Sequence, residues 1–154
     1  MNITKTLQLL KESLPHSVIA YHGSRKLFKE FDSKKLNTGV GDNGMWGPGF
    51  YFTESNSIAK GWFDHGYLYK CELTFKHPYI MDNEKEDRFK LLALLKLDYI
   101  DGQNRWDMTD FFKAGYDSII SRYELWDDGK RKMKHNQYVI FDPKQIKILK
   151  VSKY

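Results

Sequence analysis

The apolar residues of this chain are divided among many short segments, and this division constrains the fold more than any other feature. The segments are rich in aromatic and β-branched residues and are bounded by Gly, Pro, Asn or Asp, which is typical of strands. The predicted strands are 17–24, 49–52, 67–75, 118–121, 137–142 and 143–152. Residues 77–82 continue as an edge strand or a turn, because Pro78 has no amide hydrogen to donate to a sheet.

Helical periodicity is clear in two further segments. Apolar residues recur at helical spacing over residues 4–14 and, most strongly, over residues 85–100. Shorter helices are predicted at 55–64, with Ser55 as the N-cap, and before Gly115. Together with the strands, these helices predict a mixed α+β chain.

Two segments are predicted to be loops. Residues 33–49 hold five glycines without any periodicity, and long loops of this kind are often functional. The spacing G-x-G-x-x-G that begins at Gly39 is not a dinucleotide-binding fingerprint, because no apolar strand precedes it and no helix follows it. The charged segment 127–135 is predicted to connect two of the last strands.

Length and composition exclude several classes of protein. The length of 154 residues favours a single domain, 1–154. The only cysteine, Cys71, excludes an internal disulfide and favours a reducing, cytoplasmic compartment. The sequence contains neither a run of about 20 apolar residues nor a signal-peptide pattern, so no membrane partner is expected. No cysteine cluster or histidine pair has the spacing of metal ligands, so no metal is expected.

The charge balance suits an anionic partner. The chain carries 25 Lys and Arg residues against 20 Asp and Glu residues, a net charge of +5 at pH 7. Such an excess fits nucleic acid or a phosphate-rich cofactor, although moderate basicity is only weakly diagnostic. Basic clusters at 34–35 and 130–134 carry much of this charge, and they are also interpreted as ordinary solvated surface.

Three segments carry the strongest functional indication: YHGS at 21–24, GPGFYFTESNSIAKGW at 47–62 and NQYVIFDPKQIK at 136–147. In this order they resemble the H-Y-E group of ADP-ribosyltransferases, which includes the poly(ADP-ribose) polymerase catalytic fold and diphtheria-type toxins. The similarity spans roughly residues 19–148, after an N-terminal helix at 1–15, and is clearest for small bacterial and phage-associated members found in polyvalent proteins. It implies two small, mostly antiparallel sheets that form a split core, with flanking helices and an NAD cleft between the sheets.

The resemblance also implies which residues bind NAD. His22 is similar to the ribose-binding histidine of the family, and Gly23 to the residue whose backbone pairs with the nicotinamide amide. Tyr51 matches the tyrosine that packs against nicotinamide, and Trp62 a second aromatic residue that completes a sandwich. The predicted NAD-binding set is completed by Ser24 and Phe52.

The chain departs from the family pattern at Gln137, which stands where the catalytic glutamate is expected. In relatives that carboxylate binds a ribose hydroxyl and faces the positive charge that grows as the glycosidic bond breaks. A glutamine keeps the hydrogen bond but not the charge. Gln137 therefore belongs either to an active H-Y-Q enzyme or to an inactivated one. His135 lies on the same face if the strand is regular, where relatives activate the acceptor; otherwise it is an exposed loop histidine.

Several acidic residues near these positions have more than one interpretation. Glu124, Asp127 and Asp128 either supply the charge that Gln137 lacks or are solvated surface acids, which is the commoner case. Glu54 is interpreted as a cap of the helix that follows Tyr51.

The sequence therefore predicts an NAD-dependent mono-ADP-ribosyltransferase with a macromolecular acceptor. Nucleic acid, RNA or DNA, is slightly favoured over protein because of the net positive charge. The predicted setting is a toxin or an effector in phage–host conflict or phage defence, with an antitoxin or immunity protein among its partners. The alternatives are a catalytically weakened NAD- or ADP-ribose-binding module and an RNA phosphotransferase. The phosphotransferase is disfavoured because the arginines that would bind a 2′-phosphate are scattered.

Overall fold

The structure is a computed structural model that describes residues 3–4, 16–35, 43–44, 47–82, 99–100, 103–104 and 114–154. The strands within these residues are β1 (His16–Ser24), β2 (Asn43–Gly44), β3 (Gly47–Pro48), β4 (Phe50–Thr53), β5 (Tyr67–Phe75), β6 (Pro78–Asp82), β7 (Tyr99–Ile100), β8 (Gln103–Asn104), β9 (Ser118–Asp127), β10 (Lys132–Ile140) and β11 (Ile146–Lys153). The helix α1 (Asn56–Gly61) follows β4, and short 3-10 helices cover Ser33–Lys35 and Pro143–Gln145. Across these described ranges, no helix has the length and apolar character needed to cross a membrane.

Seven of the strands form one sheet in the order β11-β5-β1-β4-β10-β9-β6. Neighbouring strands are antiparallel except for β6 and β9, which are parallel. The two-residue strands pair separately, β2 with β3 and β7 with β8. The predicted α+β fold with two small sheets and flanking helices is not confirmed, because backbone pairing continues through the middle of a single mixed sheet.

The sheet has its least backbone pairing in the middle, between β1 and β4, and we call this place the joint. β1 pairs with β5 along all nine of its residues. With β4, however, β1 shares a single register pair, Tyr21 with Thr53. β4 then pairs with β10 along its four residues. Three strands, β11, β5 and β1, are thus joined to β4, β10, β9 and β6 at one point.

Side chains that alternate along the strands divide the core into two clusters. The first cluster comprises Ala20, Phe31, Phe50, Phe52, Tyr69, Cys71, Leu73, Phe75, Ile120, Tyr138 and Ile140. The second cluster comprises Tyr51, Met81, Ile119, Val139 and Phe141. Tyr51 and Phe52 are adjacent in β4 and belong to different clusters, so this short strand is buried on both of its faces.

Local signals predicted several elements correctly. The predicted strands at 17–24, 49–52 and 67–75 correspond to β1, β4 and β5. β6 begins at Pro78 and lies at an edge of the sheet, as a proline without an amide hydrogen requires. Ser55 is the N-cap of α1, and its side chain accepts a hydrogen bond from the amide of Ile58.

Three local predictions are wrong. Residues 127–135 are not one loop, because the β9–β10 hairpin remains paired as far as Asp127 and Lys132. Residues 99–100, predicted to end a helix, form β7 and pair with β8. The predicted loop at 33–49 contains a 3-10 turn and the β2–β3 ribbon.

Other predictions fall on parts of the chain that the structure does not describe. These are residues 5–14 and 85–98 of the two main predicted helices, the helix before residue 114, and most of the glycine-rich segment that begins at Gly39. Gly115 itself has a φ of 90°, a left-handed conformation that favours glycine.

Helix α1 packs closely against β1 at Gly23. A Cβ atom at this position would overlap the carbonyl oxygen of Ala59, which lies within α1. Ile58 and Ala59 are fully buried, so the helix has little freedom to move away. Glycine is therefore needed here for the close approach of strand and helix.

Replacing Gly23 with alanine is expected to displace α1 and to lower the free energy of unfolding by about 1–3 kcal/mol, the usual cost of overpacking. Urea denaturation, monitored by tryptophan fluorescence, measures this change. Ser17→Ala, at an exposed position of the same strand, is the control. A Gly23→Ala protein that is as stable as this control would contradict the described packing.

Candidate functional site

One row of paired residues crosses the middle of the sheet. Tyr21 pairs with Thr53, Thr53 with Gln137, and Gln137 with Ser121. Paired residues of neighbouring strands project on the same face, and Tyr51, two residues before Thr53, projects there too. We call this the site face. It brings together Tyr51 and Gln137, two predicted site residues that are far apart in the sequence.

The side chain of His22 projects on the opposite face of β1, but it is hydrogen-bonded to the backbone of Tyr51. The Nδ1 atom of His22 lies 2.6 Å from the carbonyl oxygen of Tyr51. Because a carbonyl only accepts hydrogen bonds, Nδ1 carries a proton, and in the neutral form of the ring Nε2 is then the acceptor nitrogen. This bond links β1 to β4 beside the single Tyr21–Thr53 pair.

Aromatic rings surround His22. The residue is only 5% exposed, and its ring centroid lies 5.5 Å from that of Phe52 and 6.3 Å from that of Trp62. The other neighbouring rings are those of Phe28, Phe31 and Tyr69. Phe52 belongs to the first cluster and Trp62 packs against the second, so the ring neighbours of His22 come from both clusters. The structure thus makes the predicted residues His22, Phe52 and Trp62 neighbours.

Tyr51 and Trp62 contribute to the same cluster. Tyr51 is buried within the second cluster, and the half-buried Trp62 packs against that cluster from the C-cap of α1. Two of the predicted aromatic residues therefore lie on the side of the sheet that also carries Gln137. The stacking of nicotinamide between them stays a prediction.

The end of β1 carries the other two residues of the predicted NAD-binding set. Gly23 lies against α1 and pairs with Leu68 of β5. The hydroxyl of Ser24 donates to the carbonyl of Lys26 at 2.9 Å and accepts from the amide of Lys26 at 3.1 Å. Ser24 thus stabilises the turn that follows β1, which is a local structural role.

His135 is a buried strand residue, and the interpretation as an exposed loop histidine is wrong. It is only 4% exposed, and its Nδ1 atom lies 2.8 Å from the hydroxyl oxygen of Thr53. Burial lowers the pKa of His135, while Glu54 and a hydrogen bond with the backbone of Asn136 act in the opposite direction. The imidazole is therefore neutral near pH 7, and desolvation is the main cause.

A β-bulge interrupts the β9–β10 pairing close to Gln137. Gln137 pairs with Ser121, and His135 pairs with Glu124. Residues 122–123 of β9 therefore oppose a single residue of β10, which is the arrangement of a bulge in β9. The predicted common face of His135 and Gln137 is compatible with this pairing, since the extra residue lies in β9.

Side chains of β10 and of the residue that follows β4 stabilise the bulge. Tyr123 has a φ of 58°, which is uncommon for a residue other than glycine, and its amide donates to the side-chain oxygen of Asn136 at 3.3 Å. The amide of Asn136 donates to one carboxylate oxygen of Glu54 at 3.1 Å, and its side-chain nitrogen donates to the other at 3.3 Å. The interpretation of Glu54 as a helix cap is wrong, because Ser55 caps α1 and Glu54 binds Asn136 instead.

The amide of Gln137 contacts the carboxylate of Glu124. In the amide orientation that satisfies hydrogen bonding, Nε2 of Gln137 lies 2.9 Å and 3.2 Å from the two carboxylate oxygens. Glu124 is half-buried, whereas Asp127 and Asp128 are exposed. Among the three acids considered from the sequence, only Glu124 thus has a described contact with Gln137 and departs from the solvated surface interpretation.

Sequence reasoning missed two residues near the site. Thr53 is fully buried, and its hydroxyl contacts His135 and accepts a hydrogen bond from the amide of Ser55. The ring of Trp126 lies against Gly61, and its buried indole nitrogen has no hydrogen-bond partner within the described ranges. A threonine in a strand is ordinary, and the position of Trp126 depends on the bulge, so neither gave a local signal.

Comparison with known proteins identifies the family of the chain. A family model described as ADP-ribosyltransferase in polyvalent proteins matches residues 15–152, a range that includes β1, β4 and β10. The chain belongs to this family. Its general activity is therefore ADP-ribosyl transfer, for which proteins of this kind use NAD as the donor. No curated protein matches the chain at a significant level.

In the part of the chain that the structure describes, no three His, Cys, Asp or Glu side chains are grouped so that they would hold a metal ion. The described residues that carry the candidate chemistry are instead aromatic rings, two histidines and the Gln137–Glu124 pair.

The burial of neutral His135 is expected to make stability depend on pH. Its pKa is lowered in the folded state, whereas an unfolded histidine titrates near about 6.5. As the pH falls below that value, the unfolded chain binds a proton before the folded chain does, so the free energy of unfolding decreases. Above it, the contribution of the neutral ring is fully present.

Urea denaturation at pH values of about 7.5 and 5.5 measures this effect. The loss of stability between the two is expected to be smaller for His135→Gln than for the unchanged chain. His65→Gln, at an exposed histidine, is the matched control and is expected to leave the loss unchanged. Equal losses in the His135→Gln protein and the unchanged chain would contradict the assignment.

Proposed function

We propose that this chain is an NAD-dependent mono-ADP-ribosyltransferase whose site lies on the site face, beside His22. The observation that carries the proposal is the pairing of β4 with β10, which sets Gln137 diagonally across from Tyr51 in a chain of this family. Family membership supports ADP-ribosyl transfer as the activity, and the strand register supports these residues as its location. The same joint brings in His22 through its bond to Tyr51.

The proposed reaction breaks the bond between the nicotinamide nitrogen of NAD and C1′ of the adjoining ribose. The electron pair of that bond leaves with nicotinamide, which becomes neutral, and positive charge spreads over the ribose ring. An oxygen or nitrogen of the acceptor then forms a bond to C1′ and loses a proton. The protein contributes by positioning the two reactants and by stabilising the positive charge.

The proposed roles follow from the contacts of each side chain. Tyr51 and Trp62 hold the nicotinamide ring, since Tyr51 belongs to the second cluster, on the site face, and Trp62 packs against that cluster. His22 binds the ribose through Nε2, because Nδ1 is bonded to the carbonyl of Tyr51. Gln137 accepts a hydrogen bond from a ribose hydroxyl through its amide oxygen. His135, neutral near pH 7, takes up the proton of the acceptor.

The acceptor is proposed to be nucleic acid, RNA or DNA. Exposed basic residues surround the turn between β9 and β10, on the strand that carries Gln137; they are Lys130, Arg131, Lys132 and Lys134. Arg131 and Lys132 form ion pairs with the hairpin acids Asp128 and Asp127, at 3.3 Å and 3.8 Å, and the four basic residues outnumber these two acids. Such an excess attracts phosphate groups. The role as a toxin or phage-conflict effector rests on the resemblance alone.

A catalytically weakened NAD-binding module is the second candidate, and the amide of Gln137 favours it. An amide keeps a hydrogen bond to the ribose but lacks the full charge of a carboxylate. For such a module, NAD binds without release of nicotinamide, and Gln137→Glu restores the release.

One experiment separates these candidates. The chain and its Gln137→Glu variant are incubated with NAD labelled in its adenosine part and with separate pools of RNA, DNA and lysate protein. We expect free nicotinamide and label on nucleic acid. Label on protein alone supports a protein acceptor instead. If neither the chain nor its Gln137→Glu variant releases nicotinamide or transfers label, the proposed activity is contradicted.

Substitution of Trp62 tests the proposed ring-binding position. Trp62→Leu is expected to raise KM for NAD by about 2- to 10-fold, because an aromatic stacking contact contributes about 0.5–1.5 kcal/mol. Nicotinamide release at a series of NAD concentrations gives KM. The control is Phe63→Leu, at the neighbouring ring that packs against Arg25 instead. Equal effects of the two substitutions would argue against the stacking role.

Charge reversal on the β9–β10 hairpin tests the proposed acceptor. Lys130→Glu, Lys132→Glu and Lys134→Glu combined are expected to remove most labelling of nucleic acid and to flatten its salt dependence, because up to three phosphate contacts are lost. Nicotinamide release without acceptor is expected to stay unchanged. The control reverses Lys147, Lys150 and Lys153, which are exposed on β11 at the other edge of the sheet. Undiminished labelling by the hairpin variant would exclude the hairpin as the acceptor surface.

A further inference from the structure

The bulge in β9 changes the face on which Glu124 projects. In a regular strand, residues three apart project on opposite faces, so Ser121 and Glu124 would be separated by the sheet. Because residues 122–123 oppose only one residue of β10, Glu124 pairs with His135 and regains the face of Gln137. The bulge is therefore the feature that brings this carboxylate to the site face.

The backbone of the bulge is unusual enough to need several supports. Tyr123 adopts a positive φ, a conformation that is unfavourable for a residue with a Cβ atom. The side chain of Asn136 accepts a hydrogen bond from the amide of Tyr123. Asn136 in turn donates two hydrogen bonds to the carboxylate of Glu54, which directly follows β4. Residues held in sparsely populated conformations persist when surrounding contacts fix them, and they are frequent at functional sites. The bulge is thus fixed by Asn136 of β10, which is held in turn by Glu54, the residue that directly follows β4.

The contact with Glu124 determines the orientation of the oxygen and nitrogen atoms of the Gln137 side-chain amide. A carboxylate only accepts hydrogen bonds, so the amide nitrogen of Gln137 must face Glu124, at 2.9 Å and 3.2 Å from its oxygens. The amide oxygen then points away from Glu124. A hydrogen bond to an ionised acceptor also polarises the amide and increases the negative charge on that oxygen.

We propose, on the basis of the transferase function proposed above, that Glu124 is a positioning residue that acts through Gln137. It holds the amide so that the oxygen of Gln137 is available to a ribose hydroxyl, and it supplies the negative charge that an amide lacks. As the bond from C1′ to nicotinamide breaks and the electron pair leaves with nicotinamide, the positive charge on the ribose is stabilised by this polarised oxygen and by the carboxylate behind it. No further reactant is required.

The arrangement makes the two positions interdependent, and this property distinguishes a positioning role from a structural one. Glu124→Gln is nearly isosteric and removes the charge. We expect it to lower kcat for nicotinamide release by about 10- to 100-fold, with KM for NAD changed by less than about threefold, since charge stabilisation acts in the transition state. Glu124→Gln combined with Gln137→Glu exchanges the two groups, returns a carboxylate to the ribose and is expected to restore kcat.

The matched control is Asp127→Asn, an exposed acid of the same strand that pairs with Lys132 at 3.8 Å. It is expected to leave kcat and KM unchanged. Circular dichroism and urea denaturation of each variant report whether the fold is retained. A kcat that is equal in Glu124→Gln and Asp127→Asn, or an exchanged variant no more active than Glu124→Gln alone, would overturn the inference.

A second measurement keeps the inference separate from the proposed function. Nuclear magnetic resonance of the Gln137 side-chain amide in the folded protein reports its hydrogen bond directly. Glu124→Gln is expected to shift this resonance, and Asp127→Asn is not. If no variant releases nicotinamide, including Gln137→Glu, the proposed function fails. If the resonance is insensitive to Glu124, the positioning role fails whatever the activity.

Discussion

A single register pair, Tyr21 with Thr53, joins the two parts of the seven-stranded sheet, and the candidate site depends on this joint. β4 is four residues long and buried on both faces, so its backbone groups have little access to water. Buried carbonyl groups need partners. Where β1 and β4 cease to pair, the imidazole of His22 donates a hydrogen bond to the carbonyl of Tyr51. On the β10 side of β4, the imidazole of His135 contacts the hydroxyl of Thr53. Two histidines are thereby fixed on either side of one short strand.

This mode of fixation has a chemical consequence. A histidine bonded to a carbonyl has its tautomer determined, and a histidine whose charge burial disfavours stays neutral near pH 7. Both rings are therefore held in one orientation before any ligand arrives, and His135 is in addition held neutral. Groups held in this way need not reorganise during a reaction, which is the main advantage of a preorganised polar site. The packing that closes the joint and the chemistry proposed for it thus have the same structural origin.

The sequence predicted what depends on local signals. Ser55 as an N-cap and Pro78 at the start of an edge strand follow from single residues, and the order of the motifs around His22, Tyr51 and Gln137 indicated the family. The burial of His135 and the contact of Glu124 depend on the pairing register of β9 with β10, and no glycine marks the bulge because Tyr123 occupies the left-handed position. The continuity of the sheet likewise depends on a single pair of residues, which periodicity alone does not specify.

The placement of Glu124 also bears on how active an H-Y-Q site is expected to be. At an effective dielectric constant near 20, a carboxylate about 4 Å from a unit positive charge contributes about 4 kcal/mol, and one about 7 Å away still contributes about 2.4 kcal/mol. Moving the negative charge from position 137 to Glu124 therefore lowers the electrostatic stabilisation of the transition state by about 1.6 kcal/mol, which slows the reaction roughly 15-fold. Losing the charge altogether costs on the order of a thousandfold. The role proposed for Glu124 therefore favours a slowed transferase over an inactivated one.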